Sequence, residues 1–553
     1  MRYQWFLAVF GIYTAACTRS DMGAPVDVVL TGGKVWTGVS AGGQASEPTA
    51  IAILAQRIVA VGDDESVLER AGPETQHVDL AGRRVVPGFI DNHTHFIEGG
   101  FALASVQLRD ADTPEEFIRR IGESASQRPN EWITGGSWDH ERWGGELPRR
   151  DWIDSVTGST PVFVSRLDLH MGLANSRALE LAGITAEMAA PPGGEIERYS
   201  DGSPTGVLKD AAQNLIFSTM PPRSEGMLDR ALQSAARHAV ERGVTMITDM
   251  GTIAGLRTYQ RARQRGELPL RAYAVVPIAE WEELAAIVAG EGRGDERLYW
   301  GGTKGFVDGS LGSTTAWFYE PYLDEPGETG LMVTDTAVLR EQILSADRAG
   351  LHVIVHAIGD RANDWLLDAF AGAKQENGDH ERRFRIEHFQ HVRPQTVARA
   401  AADRVIVSMQ PYHAIDDGRW AMNRIGPERI LTTYAFRDII DANGILVFGS
   451  DWTVAPIDPL LGIYAAVTRR TLDGANPDGW VPSQRITVEE AVRAYTVTNA
   501  YASYLENDLG TIEVGKLADL VVLSQDIFSI DPVEIENTRV DMTMMNGEFV
   551  FSR

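Results

Sequence analysis

A chain of 553 residues, 44% hydrophobic and 23% charged, is long and apolar enough to bury a large core, which sets it apart from disordered proteins. A formal net charge of −26 argues against nucleic acid as a partner, since a polyanion binder needs clustered Lys and Arg. One cysteine leaves no internal disulfide.

Residues 1–16 run from Arg2 through an apolar stretch to small residues, the layout of an export signal and too short to span a bilayer. Cys17 follows at once. Thr14-Ala15-Ala16-Cys17 resembles a bacterial lipobox, with Thr14 where Leu is usual. The expectation is an exported protein, periplasmic or anchored to the membrane by lipid on Cys17, with residues 1–26 as signal and tether. Plain secretion with cleavage nearby is the alternative.

Short β-like runs follow at Val28–Leu30, Lys34–Trp36, Ala50–Leu54 and Arg57–Val61, and a matching set closes the chain at Leu520–Leu523, Val540–Met544 and Glu548–Phe551. Neither set is a stable sheet alone. The economical reading is one small β-sandwich-like domain built from both chain ends, residues 27–84 and 506–553. Between them, residues 85–505 alternate strand and helix patterns. Eight candidate strands are predicted: Val85–Asp91, Val244–Asp249, Leu270–Val276, Gly302–Asp308, His352–His356, Arg383–His388, Val405–Gln410 and Leu446–Asp451. Eight parallel strands with crossover helices close into a (β/α)8 TIM barrel, an α/β fold. Thr487-Val488-Glu489-Glu490 reads as a capping box opening a helix through Ala500. The long gap between the first two strands marks residues 101–235 as an insertion, which in a barrel sits over the active-site face.

His and Asp gather where these strands end. Asp91-Asn92-His93-Thr94-His95 closes the first strand, and period 2 turns His93 and His95 to one side, where two imidazoles can share one ion. Lys304 lies on the fourth strand, His356 ends the fifth, His388 the sixth and Asp451 the eighth. His391 lies past its strand end and is the weaker ligand candidate. A lone HxH motif is weak evidence; the full set is not.

That order resembles the amidohydrolase superfamily. Gly136-Ser137-Trp138-Asp139, Asp168-Leu169-His170, Asp308–Ser313, Ser408–Pro411, Pro459–Tyr464 and Gly515–Val522 are similar to its YtcJ-like (amidohydrolase type 3) branch. The chain departs from that branch at Thr314, where Arg or Gly is usual. The resemblance implies one or two divalent ions, zinc foremost with Mn, Fe or Ni also suited. His93, His95 and Asp451 would hold one, His356 and His388 the other, and a carboxylated Lys304 would bridge them. It also implies hydrolysis of an amide-type C–N bond of a small molecule, with Asp451 moving the proton. His170 and His413 are candidate catalytic residues; Trp138, Arg166, Tyr412 and Arg437 are candidate substrate contacts. The same centre would also serve a lactone or another ester. A non-catalytic barrel would be expected to have lost ligands, and all six positions are filled.

Overall fold

The computed structural model describes residues 25–39 and 47–553. Residues 1–24 of the expected signal and tether, Cys17 among them, lie outside the described residues.

Eight parallel strands form the central sheet: Phe89–Thr94, Val244–Met250, Arg271–Pro277, Leu298–Phe306, His352–Ala357, Arg385–His388, Ile406–Met409 and Ile445–Phe448. Each pairs with the next in chain order. Beyond the eighth strand the chain returns to the first: Asp451 N–H donates to the His93 carbonyl at 2.7 Å and His95 N–H to the Trp452 carbonyl at 2.6 Å. The ring is thereby closed as a (β/α)8 barrel. Gly449 permits that closure, because a Cβ there would lie 2.6 Å from the His93 nitrogen. The surrounding helices start where Ser224, Thr252, Asp335 and Thr487 cap their first free N–H groups. Their apolar faces pack onto the strands, as Ala231, Leu232, Ala235 and Ala239 of Glu225–Val240 do.

Several boundaries differ from the sequence reading. Val85 and Val86 belong not to the barrel but to Arg84–Pro87, which pairs with Lys34–Val35 and Leu520–Leu523. The barrel strand starts after Gly88, so one apolar run serves two sheets. The capping box at Thr487 is present, but the helix stops at Thr496, whose φ of −132° and ψ of −81° divide it into Val488–Tyr495 and Val497–Ala502. The break places the Asn499 amide across the first and last strands, donating to the carbonyls of Ile90 and Phe448. The helix Glu225–Val240 is part of the barrel wall, so the insertion ends before it rather than at residue 235.

Both chain ends supply the two sheets of a smaller unit, one of four strands and one of five. They face each other across Val28, Leu30, Ile51, Ile53, Val85, Leu520 and Val522. A buried bidentate pair ties this unit to the barrel: Arg271 donates through Nε and Nη2 to Asp519 at 2.7 and 2.9 Å. The insertion folds as a six-stranded sheet between Val106 and Asp210, with its own core around Phe117, Ile121, Trp138 and Val164. The loop after the fourth barrel strand latches onto it, because Ser310 and Ser313 hydroxyls donate to Asp168 Oδ2 at 2.5 and 2.9 Å.

Candidate metal centre and active site

At the C-terminal mouth of the barrel, ligand atoms of His93, His388 and Asp451 come within 4.8 Å of one another, all buried. His95 Nε2 is 3.3 Å and His93 Nε2 3.4 Å from Asp451 Oδ1. His356 stands beside His388, with ring centroids 4.5 Å apart. Lys304 Nζ reaches His93 Nε2 at 3.3 Å from inside the barrel. It does not pair with Asp308, whose carboxylate accepts from the N–H groups of Trp317, Ile358 and Gly359.

Second partners orient these rings. The Glu387 carboxylate accepts from His93 Nδ1, so the lone pair of His93 is on Nε2. Gln410 Oε1 accepts from His388 Nδ1 at 2.8 Å, which leaves Nε2 free in the same way. His356 donates from Nε2 to the Gly309 carbonyl at 2.9 Å, so its free nitrogen is Nδ1. Glu387 itself receives Arg385 and the Ser408 hydroxyl.

Electrostatics reinforce that arrangement. Burial would raise the Glu387 carboxyl, but Arg385 and His93 outweigh it and hold Glu387 well below the ordinary range. Burial likewise opposes ionisation of Asp451, yet His93, His95 and His388 win and keep it well below its usual value. Burial, aided by Lys304, pushes His93 down to about 4, so it is neutral. Lys304 is lowered by burial to about 8.

The residues fit a divalent cation. Asp451 Oδ1 is buried and accepts no hydrogen bond, a costly state for a carboxylate oxygen unless something else neutralises it. It faces the Nε2 atoms of His93 and His95 at 3.4 and 3.3 Å. His93, His95, His388 and Asp451 would hold one ion, with His356 and Lys304 at hand for a second.

Two of these residues sit in backbone that side chains rarely adopt, His388 at φ +76° and Asp451 at φ +58°. The first has a clear consequence. Glu387 points into the barrel, so strict alternation would send His388 outward. The left-handed turn at His388 brings both neighbours to the interior.

A cavity with about 460 Å³ of void opens beside the centre, lined by Arg166, Asp168, His170, His356, His388, Gln390, His413 and Asp451 among others. Arg166 is buried between Asp168 at 2.7 Å and Asp139 at 3.3 Å. Gly312 lets it approach, since a Cβ there would meet Arg166 Nη1 at 2.3 Å. His170 Nδ1 meets Asp210 Oδ1 at 2.5 Å, and His413 lies parallel to His388 at 6.4 Å.

Three expected substrate contacts are placed elsewhere. Trp138 is fully buried in the core of the insertion, its indole N–H donating to the Val164 carbonyl at 2.8 Å. Tyr412 lies under the Arg109 guanidinium, outside the cavity lining. Arg437 is on an outer helix, paired with Asp441 and Glu490. Sequence reasoning passed over Glu387, Gln410 and Asp210. Glu387 did leave a signal: Arg385 and Glu387 put two charges at period 2 in a strand otherwise built for a core. Thr314, the departure from the branch pattern, has φ +62°, a conformation that suits glycine, and accepts from Arg424 Nη1 at 2.8 Å.

The comparisons agree with this geometry. The family model described as "Amidohydrolase family" matches residues 76–551. The protein LONG AFTER FAR-RED 3 of Arabidopsis thaliana is 39% identical over 91% of this chain and 88% of its own length. The putative amidohydrolase YtcJ of Bacillus subtilis is 32% identical over 90% of this chain and 94% of its own. A solved structure, an uncharacterized metal-dependent hydrolase from Pyrococcus horikoshii, superposes with a TM-score of 0.73 at 28% identity, over 91% of this chain and 99% of that one. The chain belongs to the amidohydrolase family, in its YtcJ-like branch.

Proposed function

We propose that this protein is a metal-dependent hydrolase that cleaves a C–N bond of a small amide, N-acyl or cyclic amide compound. The observation that carries the reading is the unpartnered, ionised Asp451 oxygen facing two histidine Nε2 atoms. A divalent cation held by His93, His95, His388 and Asp451 would supply Lewis acidity there, lowering the pKa of a water towards about 7 and polarising a carbonyl. Asp451 accepts the proton of the attacking water and returns it to the leaving nitrogen, a base and then an acid in one turnover. Glu387 and Gln410 keep the rings in register throughout. Arg166, His170 and His413 face the cavity in which the carbonyl is held.

Lys304 belongs to the same proposal. A lysine amine reacts with carbon dioxide only when neutral, and burial lowers Lys304 to about 8. Carboxylation would turn a poor ligand into an anionic one, able to help His356 hold a second cation. Zinc, Mn, Fe and Ni all suit such a donor set. Export, with or without lipid on Cys17, completes the proposal. Deleting residues 1–26 is expected to give a soluble, active enzyme; lipid on Cys17 is read by mass spectrometry of the membrane fraction.

The test is a screen of N-acyl amino acids, formamides and cyclic amides with the metal-loaded enzyme, beside simple lactones. Chelator-sensitive amide hydrolysis supports the reading. Turnover of lactones alone would contradict the C–N assignment.

A further inference from the structure

A second cavity opens on the other side of the centre. Its void is about 1410 Å³, mouth included, against about 460 Å³ for the first. The two share no lining residue, but their walls adjoin: His95 borders the larger and Asp451 the smaller, 3.3 Å apart, and the chain neighbours Ser165 and Arg166, Leu169 and His170, and Thr453 and Val454 are divided between them. Thr453, two residues after Asp451, also lines the larger one.

The two walls present different large side chains. The smaller cavity carries Arg166, Asp168, Asp451 and four histidines, whereas the larger sets Phe101, Phe163, Leu169, Phe217, Met220 and two prolines among polar residues such as Glu98, Gln213 and Arg223. Phe217 is 48% exposed, an unusual place for a phenylalanine, and meets Phe163 edge-on at 5.3 Å. The Arg223 guanidinium, paired with Glu98, covers the Phe101 ring at 4.0 Å. Two non-glycine wall residues hold left-handed backbone, Ser137 at φ +57° and Leu169 at φ +63°. Such strain persists where the surrounding structure imposes it, commonly at ligand sites.

We propose that the substrate is an unsymmetrical amide, with one bulky apolar substituent seated among Phe101, Phe163, Phe217 and Met220. Its scissile carbonyl and smaller polar end face the Arg166–His413 cavity. The proposal rests on the hydrolase reading for the amide itself; the apolar pocket rests on the two walls. His95 sets the border between the two ends. The insertion, the Phe217–Arg223 strap and the first barrel helix then select the substrate together.

The experiment measures binding of N-methylacetamide, N-benzylacetamide and N-(4-phenylbutyl)acetamide by calorimetry, with metal removed by chelator so that nothing turns over. A parallel set, acetamide, phenylacetamide and 5-phenylpentanamide, moves the apolar arm to the acyl side. Affinity is expected to rise at least about tenfold from the smallest to the largest member of one set, as burial of a ring predicts. Phe217→Ala, at an exposed position the fold tolerates, should lose about tenfold for the phenyl compounds only. Ala102→Trp, which fills the pocket from its helix wall, should do the same. Flat affinity across both sets, or phenyl binding indifferent to both variants, overturns the proposal. Kinetics of the metal-loaded enzyme separate the two readings. Hydrolysis without size preference would discard the apolar pocket and keep the hydrolase. Size-ranked binding with no amide hydrolysis would discard the hydrolase and keep the pocket.

Discussion

The barrel centre and the inserted cap solve different problems. In the centre, the oriented groups arise from strand ends, and almost every ring has a second partner: Glu387 for His93, Gln410 for His388, Gly309 for His356. In the cap, a sheet with its own apolar core holds out loop residues such as His170 and Leu169 and feeds the strap carrying Phe217. The centre fixes chemistry by rigid second contacts, whereas the cap shapes a cavity by where its loops turn. Damage should therefore fall on turnover and metal in the first region, and on selectivity or cap stability in the second.

The sharpest way to break this division is Asp451→Asn. The account expects an intact fold and a loss of turnover of about 10²–10⁴-fold, the usual scale for a proton-transfer group. Near-normal turnover, measured with metal bound, would remove Asp451 from proton transfer.

Next comes Lys304→Ala, expected to lose one metal equivalent and most activity, with partial recovery on adding a short-chain carboxylic acid and excess metal. Metal counting by atomic emission checks it. A variant retaining two ions and full turnover would make Lys304 structural.

Glu387→Gln tests the second contact. It keeps the shape and removes the charge that orients His93, so metal affinity should fall about 10–100-fold. Unchanged affinity in a chelator competition would show that His93 needs no such support.

The mildest effects on chemistry should come from the cap. Trp138→Ala should lower the melting temperature, since truncating a buried tryptophan costs about 3–5 kcal/mol. His170→Ala should also cost stability, because it leaves Asp210 buried without its partner, but it should in addition change KM several-fold. If Trp138→Ala changed KM and His170→Ala did not, the cap's division into core and pocket wall would be wrong.

How much was legible follows the same line. The eight strands and the closing β runs were readable because period 2 and apolar runs survive any tertiary context. His93, His95, Lys304, His356, His388 and Asp451 stood at strand ends, where barrel chemistry gathers, and the structure brings them together. What alternation could not give is how Glu387 and His388 both face inward, because a left-handed turn at φ +76° leaves no mark in a histidine's identity. Trp138 misled for a similar reason. Its neighbours Ser137 and Asp139 approach pockets and ion pairs, while the indole turns into the cap core. Arg437 and Tyr412 carry no mark of their placement either: Arg437 pairs with Asp441 and Glu490, and Tyr412 packs under Arg109 instead of lining the cavity. The apolar pocket was unreadable because its walls come from the first barrel helix, two cap strands and the strap.

The most direct test of the central claim is the metal content of purified wild-type protein, followed by activity after chelation and reloading. The account predicts one or two divalent ions per chain, loss of amide hydrolysis when they are removed, and recovery when they return. Full hydrolysis by a rigorously metal-free protein would contradict it.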